Sequence, residues 1–248
     1  MSLKERENAI LEYLMEHKEA SVSELSRVLF VSEPTMRRDL YALTRAGKLL
    51  RTHGGAAYKG ARGENLPQAF REREQTNAKA IIGKRALSLV KDGDTVMVDA
   101  SSTAAELLKL LRDRSDIVVV TNNAGAPVLL SETAVKTFVS GGELARGTYA
   151  FVGGYAESFL RTFRADVCFF SVRRLSADGE LSDNAIAENA IRRVMMARAA
   201  KKVLLLDSKK LGDACMNTLC SLSEIDTVVS EKDISDLFPA YKEKFLPF

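Results

Sequence analysis

Two sets of side chains in this 248-residue sequence have the types and spacing to do chemistry. The first lies in VSEPTMRRDL (residues 31–40) and RTHGGA (residues 51–56). Read as a helix, the first stretch and the residues after it turn Met36, Leu40 and Leu43 inward at i, i+4, i+7, leaving Thr35, Arg37, Arg38 and Tyr41 on the other faces. Ser32 suits the N-cap, and Pro34 fits the first turn, where a missing N–H costs nothing. Thr and Arg side chains turned outward at a helix start suit a duplex major groove, because guanidinium groups reach phosphates and guanine edges alike. On its own the helix is equally an ordinary surface helix with two solvated arginines. The second set is DASST (residues 99–103), where three hydroxyls and free backbone N–H groups at a strand-to-helix junction make an anion site apt for phosphate.

The elements that must hold the first set are short. Ile10, Leu11, Leu14 and Met15 recur at helical spacing over residues 4–17. Ser23 is placed to cap a second helix burying Leu25, Val28 and Leu29, and residues 30–32 form the turn into the third. Gly47 marks that helix's end as a C′ glycine. Residues 49–52 read as a strand and His53-Gly54-Gly55 as a tight turn into Ala56-Ala57-Tyr58. Three helices and a two-stranded hairpin make a winged helix-turn-helix, whose wing residues, here Arg51 and His53, commonly touch the DNA backbone or minor groove. Between residues 34 and 53 lie Arg37, Arg38, Arg45, Lys48 and Arg51 against Asp39 alone, a local basic patch on a chain of net charge only +3.

Residues 58–67 lose apolar periodicity and contain Gly60, Gly63 and Pro67, the features of a linker. The resulting division is a DNA-binding domain at 1–57, a linker at 58–68 and an α/β domain at 69–248. Residues 68–91 read as a helix packing through Ala80, Ile81, Ala86, Leu87 and Val90. Strands are expected at 95–98, 117–120, 137–139, 167–172, 203–206 and 227–229, and helices at 104–112, 126–130, 155–162 and 185–200. The alternation implies a mostly parallel sheet covered on both faces, with ligands bound outside the carboxyl ends of its strands. The residues just after those strands are polar: Asp99 to Thr103, Thr121-Asn122-Asn123, Ser140-Gly141-Gly142-Glu143 with Arg146 and Thr148 nearby, and Asp207-Ser208-Lys209-Lys210. Each alone could be a cap or a turn; together on one sheet edge they point to a small, polar, anionic ligand. Arg173 and Arg174 could clamp a second anion bidentately or be interface or surface residues.

Composition narrows the classes. No stretch approaches the roughly 18 apolar residues of a membrane span. The charged start MSLKERENAI lacks an export signal, which sets a cytoplasmic default. Three cysteines make neither a disulfide framework nor a zinc site, so no metal is expected and buried reduced thiols are. His17 and His53 both fall in the N-terminal part, which excludes a histidine-based active site within the C-terminal part.

The paired motifs VSEPTMRRDL and RTHGGA resemble the N-terminal signature of the DeoR family of bacterial transcriptional regulators, with Met36 replacing a branched residue. The C-terminal part is similar to that family's sensor domain, itself similar in fold to ribose-phosphate isomerases, through DASST (99–103), Thr121-Asn122, the GGxxxR of Gly141, Gly142 and Arg146, Glu188, and DSKKxG (207–212). The resemblance implies a repressor of a carbohydrate-metabolism operon that responds to a phosphorylated sugar. It implies that Ser101, Ser102 and Thr103 hold the phosphate, and that Asp99, Asn122 and Lys210 contact the sugar or its neighbours. The family's usual DxGTT loop is here DASST, and Arg173-Arg174 stand where small residues are usual. The expected partners are operator DNA, a small phosphorylated sugar and further copies of the chain as a dimer or tetramer, with no membrane and no cofactor. The alternative is an isomerase-like sugar-phosphate enzyme carrying a DNA-binding domain, using Asp99, Asp207, Glu188 and Lys210; no second general acid is evident for it.

Overall fold

The computed structural model describes residues 3–17, 19–46, 48–58, 71 and 74–248. They belong to two compact units, residues 1–66 and 67–248. Gly47 and linker residues 59–68 lie outside the described residues; Tyr58, assigned above to the linker, closes a strand.

The first unit contains α1 (Leu3–His17), β1 (Glu19–Ser21), α2 (Val22–Val28), α3 (Glu33–Arg45), β2 (Leu49–Thr52) and β3 (Gly55–Tyr58). Ile10, Leu11 and Leu14 of α1 share a core with Leu25, Met36, Leu40, Leu43 and Leu49. The inward i, i+4, i+7 stripe of α3 is as expected, and unbranched Met36 fits it fully buried. Three details differ. The wing sheet has a third strand, in order β1-β3-β2, and β1 is only three residues long, too short to show a period. Ser21 rather than Ser23 caps α2, forming a capping box with Glu24, and Val28 is exposed. Gly55 belongs to β3, not the turn: a Cβ there would lie 2.1 Å from the Ala20 carbonyl oxygen, so only glycine lets β1 approach. Gly54, at φ +88, supplies the turn itself.

The second unit is built on α4 (Thr76–Leu87), β4 (Thr95–Val98), α5 (Ser102–Leu111), β5 (Val118–Thr121), α6 (Ala126–Leu130), β6 (Lys136–Val139), β7 (Glu143–Leu144), β8 (Phe151–Val152), α7 (Gly154–Arg161) and β9 (Ala165–Phe170). It continues through β10 (Arg174–Leu175), β11 (Glu180–Asp183), α8 (Ile186–Arg198), β12 (Ala199–Leu205), β13 (Asn217–Ser221) and β14 (Thr227–Val229). Six strands, one in each expected segment, form a parallel sheet in the order β14-β12-β9-β4-β5-β6. Side chains alternate between two cores. Val96 and Val98 face α4, α5 and α6, whereas Met97 faces α7 and α8.

The chain runs outward from β4 to β5 and β6, then returns across to β9 on the other side of β4. This reversal puts the topological switch point, the usual ligand crevice, between the ends of β4 and β9. Two small antiparallel sheets at that end, β7-β8 and β10-β11-β13, were not anticipated. Helix α4 is shorter than expected, and its buried face is Lys79, Ile82 and Ala86, with Ile81 exposed. Of the three thiols, Cys168 and Cys220 are buried and burial pushes both up to about 12, but Cys215 is half-buried. Among the described residues no helix is long and apolar enough to cross a membrane.

Candidate functional sites

The N-terminal site grows out of α3. Its core stripe is buried, and Ser32, Arg37, Arg38 and Tyr41 are exposed, with Thr35 partly so. Ser32 occupies the N-cap position, but its hydroxyl meets the Thr35 hydroxyl at 2.9 Å instead of accepting a backbone N–H. Pro34 sits in the first turn as expected. Arg37 is paired with exposed Glu33 at 3.0 Å, a contact that water and salt weaken readily. Arg51 and His53 are exposed on the wing. Asp39, the lone acid of the basic stretch, turns inward: both its oxygens accept from the Arg6 guanidinium of α1, and the contact with Asp39 raises the Arg6 pKa. That bidentate pair fixes the rotation of α3 about its axis, so Arg37 and Arg38 can only point outward. Together these residues form a face of exposed cations and hydroxyls on a rigid helix, suited to phosphates and base edges.

The C-terminal site lies at the switch point. The Asp99 amide donates to Phe169 O at 3.0 Å, tying the loop after β4 to β9. Ser101 caps α5 through its Oγ, which accepts from the Ala104 amide at 3.1 Å, so this hydroxyl is engaged in holding the loop. Ser102 and Thr103 open the helix, and among the described residues the Ser102 hydroxyl makes no hydrogen bond. Lys210 reaches in from the loop after β12. Its Nζ donates to Thr103 Oγ1 at 3.1 Å and Ser171 Oγ at 2.7 Å, and lies 3.4 Å from Asp207 Oδ2. Burial lowers the Lys210 pKa although Asp207 opposes the shift. Lys79 of α4 is also buried and donates to the Arg71 carbonyl. Burial brings it down to about 8, helped by the neighbouring charge of Lys210. A lysine at a helix N-terminus with an uncommitted serine hydroxyl, and a second lysine near the first, suit an anion.

Around these residues lies a second network. Arg192 of α8 is fully buried, with Nε on Asp99 Oδ2 at 2.9 Å, Nη1 on Asp183 Oδ2 and Asn189 Oδ1 at 2.9 Å each, and Nη2 on Glu188 Oε2 at 3.2 Å. Burial pulls its pKa down, but Asp183, Asp99 and Glu188 outweigh burial and leave it raised. Burial likewise pushes Asp183 up, and Arg192 with the Ala185 amide brings it below its ordinary value; Glu188 stays above, because burial dominates there. One guanidinium thus joins the β4 loop, β11 and α8. Asn122, level with Asp99 on the neighbouring strand, donates its amide to Phe151 O at 2.9 Å, while its buried Oδ1 has no partner among the described residues. A buried acceptor of this kind is costly until a donor such as a ligand hydroxyl meets it.

The predicted residues therefore divide. Asp99, Thr103, Glu188, Asp207 and Lys210 are linked through the Arg192 and Lys210 contacts, with Ser101, Ser102 and Asn122 on the same edge. Gly141 and Gly142 shape the backbone, with φ of +60 and +110, and a Cβ on Gly142 would lie 2.9 Å from Val152 O. Arg146 is exposed between β7 and β8 and takes no part in the Arg192 and Lys210 hydrogen bonds. Arg174 does not join them either: its Nη1 donates to Lys209 O at 3.0 Å, bracing the Lys210 loop. Sequence reasoning missed Lys79, Ser171, Asp183, Asn189 and Arg192. For Lys79 and Arg192 a signal existed, a charged residue on an apolar helical stripe (79, 82, 86 and 188, 191, 192, 195).

Comparison with known proteins agrees with both halves. The family described as "DeoR-like helix-turn-helix domain" matches residues 6–61, and "DeoR C terminal sensor domain" matches residues 74–232. The chain is 31% identical to the L-fucose operon activator of Haemophilus influenzae, over 96% of each chain. It is 28% identical to the glycerol-3-phosphate regulon repressor of Escherichia coli, over 93% of this chain and 92% of that one. A solved D-ribose-5-phosphate isomerase in complex with phospho-erythronic acid is similar over 56% of this chain and 55% of that one, at 22% identity and a TM-score of 0.41. The relatives with a stated role are regulators, and the chain is a DNA-binding transcription regulator, not an enzyme. It belongs to the DeoR family of helix-turn-helix transcriptional regulators.

Proposed function

We propose that the protein represses a carbohydrate-metabolism operon in the cytoplasm and that a small phosphorylated sugar releases it from its operator. The observation that carries this reading is Lys210, half-buried and in contact with Thr103 at the helix start, with the buried Lys79 close enough for the two charges to act on each other. The phosphate lies against Ser102, Thr103, Lys79 and Lys210. A sugar hydroxyl donates to Asn122 Oδ1, satisfying the unpartnered acceptor. Asp99 and Glu188 are held by Arg192 and shape the sugar end from behind. The glycerol-3-phosphate relative is named as a regulon repressor, which supports repression, and the fucose relative, named as an operon activator, supports a sugar operon.

On this reading residues 1–57 read DNA through Ser32, Thr35, Arg37, Arg38, Tyr41, Arg51 and His53. Residues 69–248 bind effector and assemble copies of the chain, so that repeated half-sites are met together. The coupling between sites need be only about 1–3 kcal/mol. The test is a thermal-shift screen of phosphorylated sugars, followed by operator release measured by fluorescence anisotropy with the best stabiliser. Ser102→Ala is expected to bind operator as the wild type does and to lose release by that sugar. Retained release in Ser102→Ala would remove the phosphate assignment, and tighter operator binding with sugar would reverse the sign of regulation.

A further inference from the structure

Phe30 has two features that the folded domain does not account for. Its φ is +54, and its side chain is 94% exposed. The conformation is imposed by the end of α2, where the Leu29 amide donates to Leu25 O and the Val31 amide to Ser26 O, each at 3.0 Å. That pattern places Phe30 at the C′ position, which must be left-handed and is ordinarily glycine or asparagine. A bulky side chain there meets steric resistance, and a phenyl ring in water gains nothing from burial. The position therefore carries two costs, with no contact among the described residues to offset them. Residues held in such conformations concentrate at sites of function.

We propose that Phe30 contacts DNA directly, its ring packing on thymine methyl or deoxyribose surface in the operator. The inference rests on the reading of α3 as the DNA-reading helix. Phe30 stands two residues before the Ser32 cap, so an exposed apolar side chain directly precedes the helix start that carries the exposed Ser32, Arg37 and Arg38. A duplex presents apolar surface at thymine methyls, which a phenyl ring can cover and an arginine cannot. An uncharged contact has a distinct signature: it displaces no counterion, so it adds affinity without adding salt dependence.

The experiment uses the full-length chain with Phe30→Asn, Phe30→Leu and Arg38→Ala, and a duplex enriched from a random-sequence pool by the wild-type protein. Anisotropy titrations over a salt series are paired with thermal melts. Phe30→Asn is expected to melt at or above the wild-type temperature, because asparagine accepts the left-handed conformation. It should bind the duplex about tenfold more weakly, with an unchanged slope of log K against log salt. Phe30→Leu should bind more tightly than Phe30→Asn. Arg38→Ala should weaken binding. Wild-type affinity in Phe30→Asn beside a weakened Arg38→Ala overturns this inference alone and leaves the reading helix standing. Unchanged affinity in both overturns the helix assignment as well. A lower melting temperature or an altered salt slope in Phe30→Asn, or a Phe30→Leu variant as weak as Phe30→Asn, also overturns the inference.

Discussion

The two units use arginine in opposite ways. In the N-terminal unit Arg37, Arg38 and Arg51 stand in solvent, and the guanidinium that does internal work, that of Arg6, holds a single acid. In the C-terminal unit Arg192 is wholly buried and satisfied by four side chains from the β4 loop, β11 and α8. An exposed guanidinium has given up no hydration and can trade water for a phosphate, at an affinity set by salt. A buried one has already lost its hydration and recovers it only through fixed carboxylates, so it serves shape and not capture. Lys79 and Lys210 fall between these cases: burial weakens both as cations, Lys210 is held by Thr103, Ser171 and Asp207, and Lys79, which gives one bond to the Arg71 carbonyl, has donors left for an anion. Reading a long polyanion calls for the first arrangement, and enclosing a small one calls for the second and third.

The largest effect should come from removing the buried guanidinium. Arg192→Met leaves Asp99, Asp183 and Glu188 buried without their counter-charge, a change that typically costs about 3–5 kcal/mol. Calorimetry should show the transition of the C-terminal unit about 10 °C lower, with that of the N-terminal unit unmoved. The sign with pH follows from the carboxylates. Without Arg192, Asp183 loses what offsets its burial and Glu188 what limits its rise, so the deficit should shrink as pH falls and these two take up protons. A melt indistinguishable from wild type would mean that Arg192 is not what holds the switch-point loops, and the contrast with the exposed arginines would fail.

What the sequence made legible follows from the same contrast. Strands of the parallel sheet are buried on both faces and stand out as apolar runs, so all six were placed to within a few residues. The strands of β7-β8 and the residues of β10 come in pairs, too short for any period to register. The polar edge at Asp99 to Thr103, Asn122 and Asp207 to Lys210 was legible because polar residues directly follow apolar runs. Asp39 was legible only as a charge in a basic helix, since its partner Arg6 lies 33 residues earlier. Arg192 meets Asp99 across 93 residues, and local pattern can mark such a residue as anomalous without naming its partner. The cap of α2 was misplaced because Ser21 and Ser23 both satisfy the composition rule, and only β1 decides between them.

A smaller effect is expected on the exposed side. Arg38→Ala removes a solvated cation with no partner among the described residues, so stability should change little. If Arg38 reads a base edge, operator binding should weaken by about 1–3 kcal/mol, and sequence discrimination should fall at one position of the site. Titrating the variant against operator and against unrelated duplex separates the outcomes. Equal losses on both would make Arg38 a phosphate contact, and no loss on either would leave α3 an ordinary surface helix.

The smallest effect tests the intermediate case, and it is a pH dependence. Lys79 sits at about 8 in the folded protein against an ordinary value of 10.5, chiefly through burial, with Lys210, Asp207, Glu74 and Arg71 as charged neighbours. Between those two pH values the unfolded chain holds more protons than the folded one, so this group makes the free protein more stable as pH rises. Effector binding should run the other way. A bound phosphate needs the ammonium form, so above pH 8 each binding event must take up a proton and affinity declines. Between pH 7.5 and pH 9 the loss should be about eightfold, approaching tenfold per unit beyond. Titration calorimetry in buffers of different ionisation enthalpy measures the affinity and the proton uptake together, and Lys79→Met should bind weakly with a flat profile. An exposed lysine would titrate too high to show either effect near pH 8, so the pH slope reports burial and anion contact at once. Affinity that stays level across this range in the wild type would place the phosphate away from Lys79 and leave that lysine as one more charge held for shape.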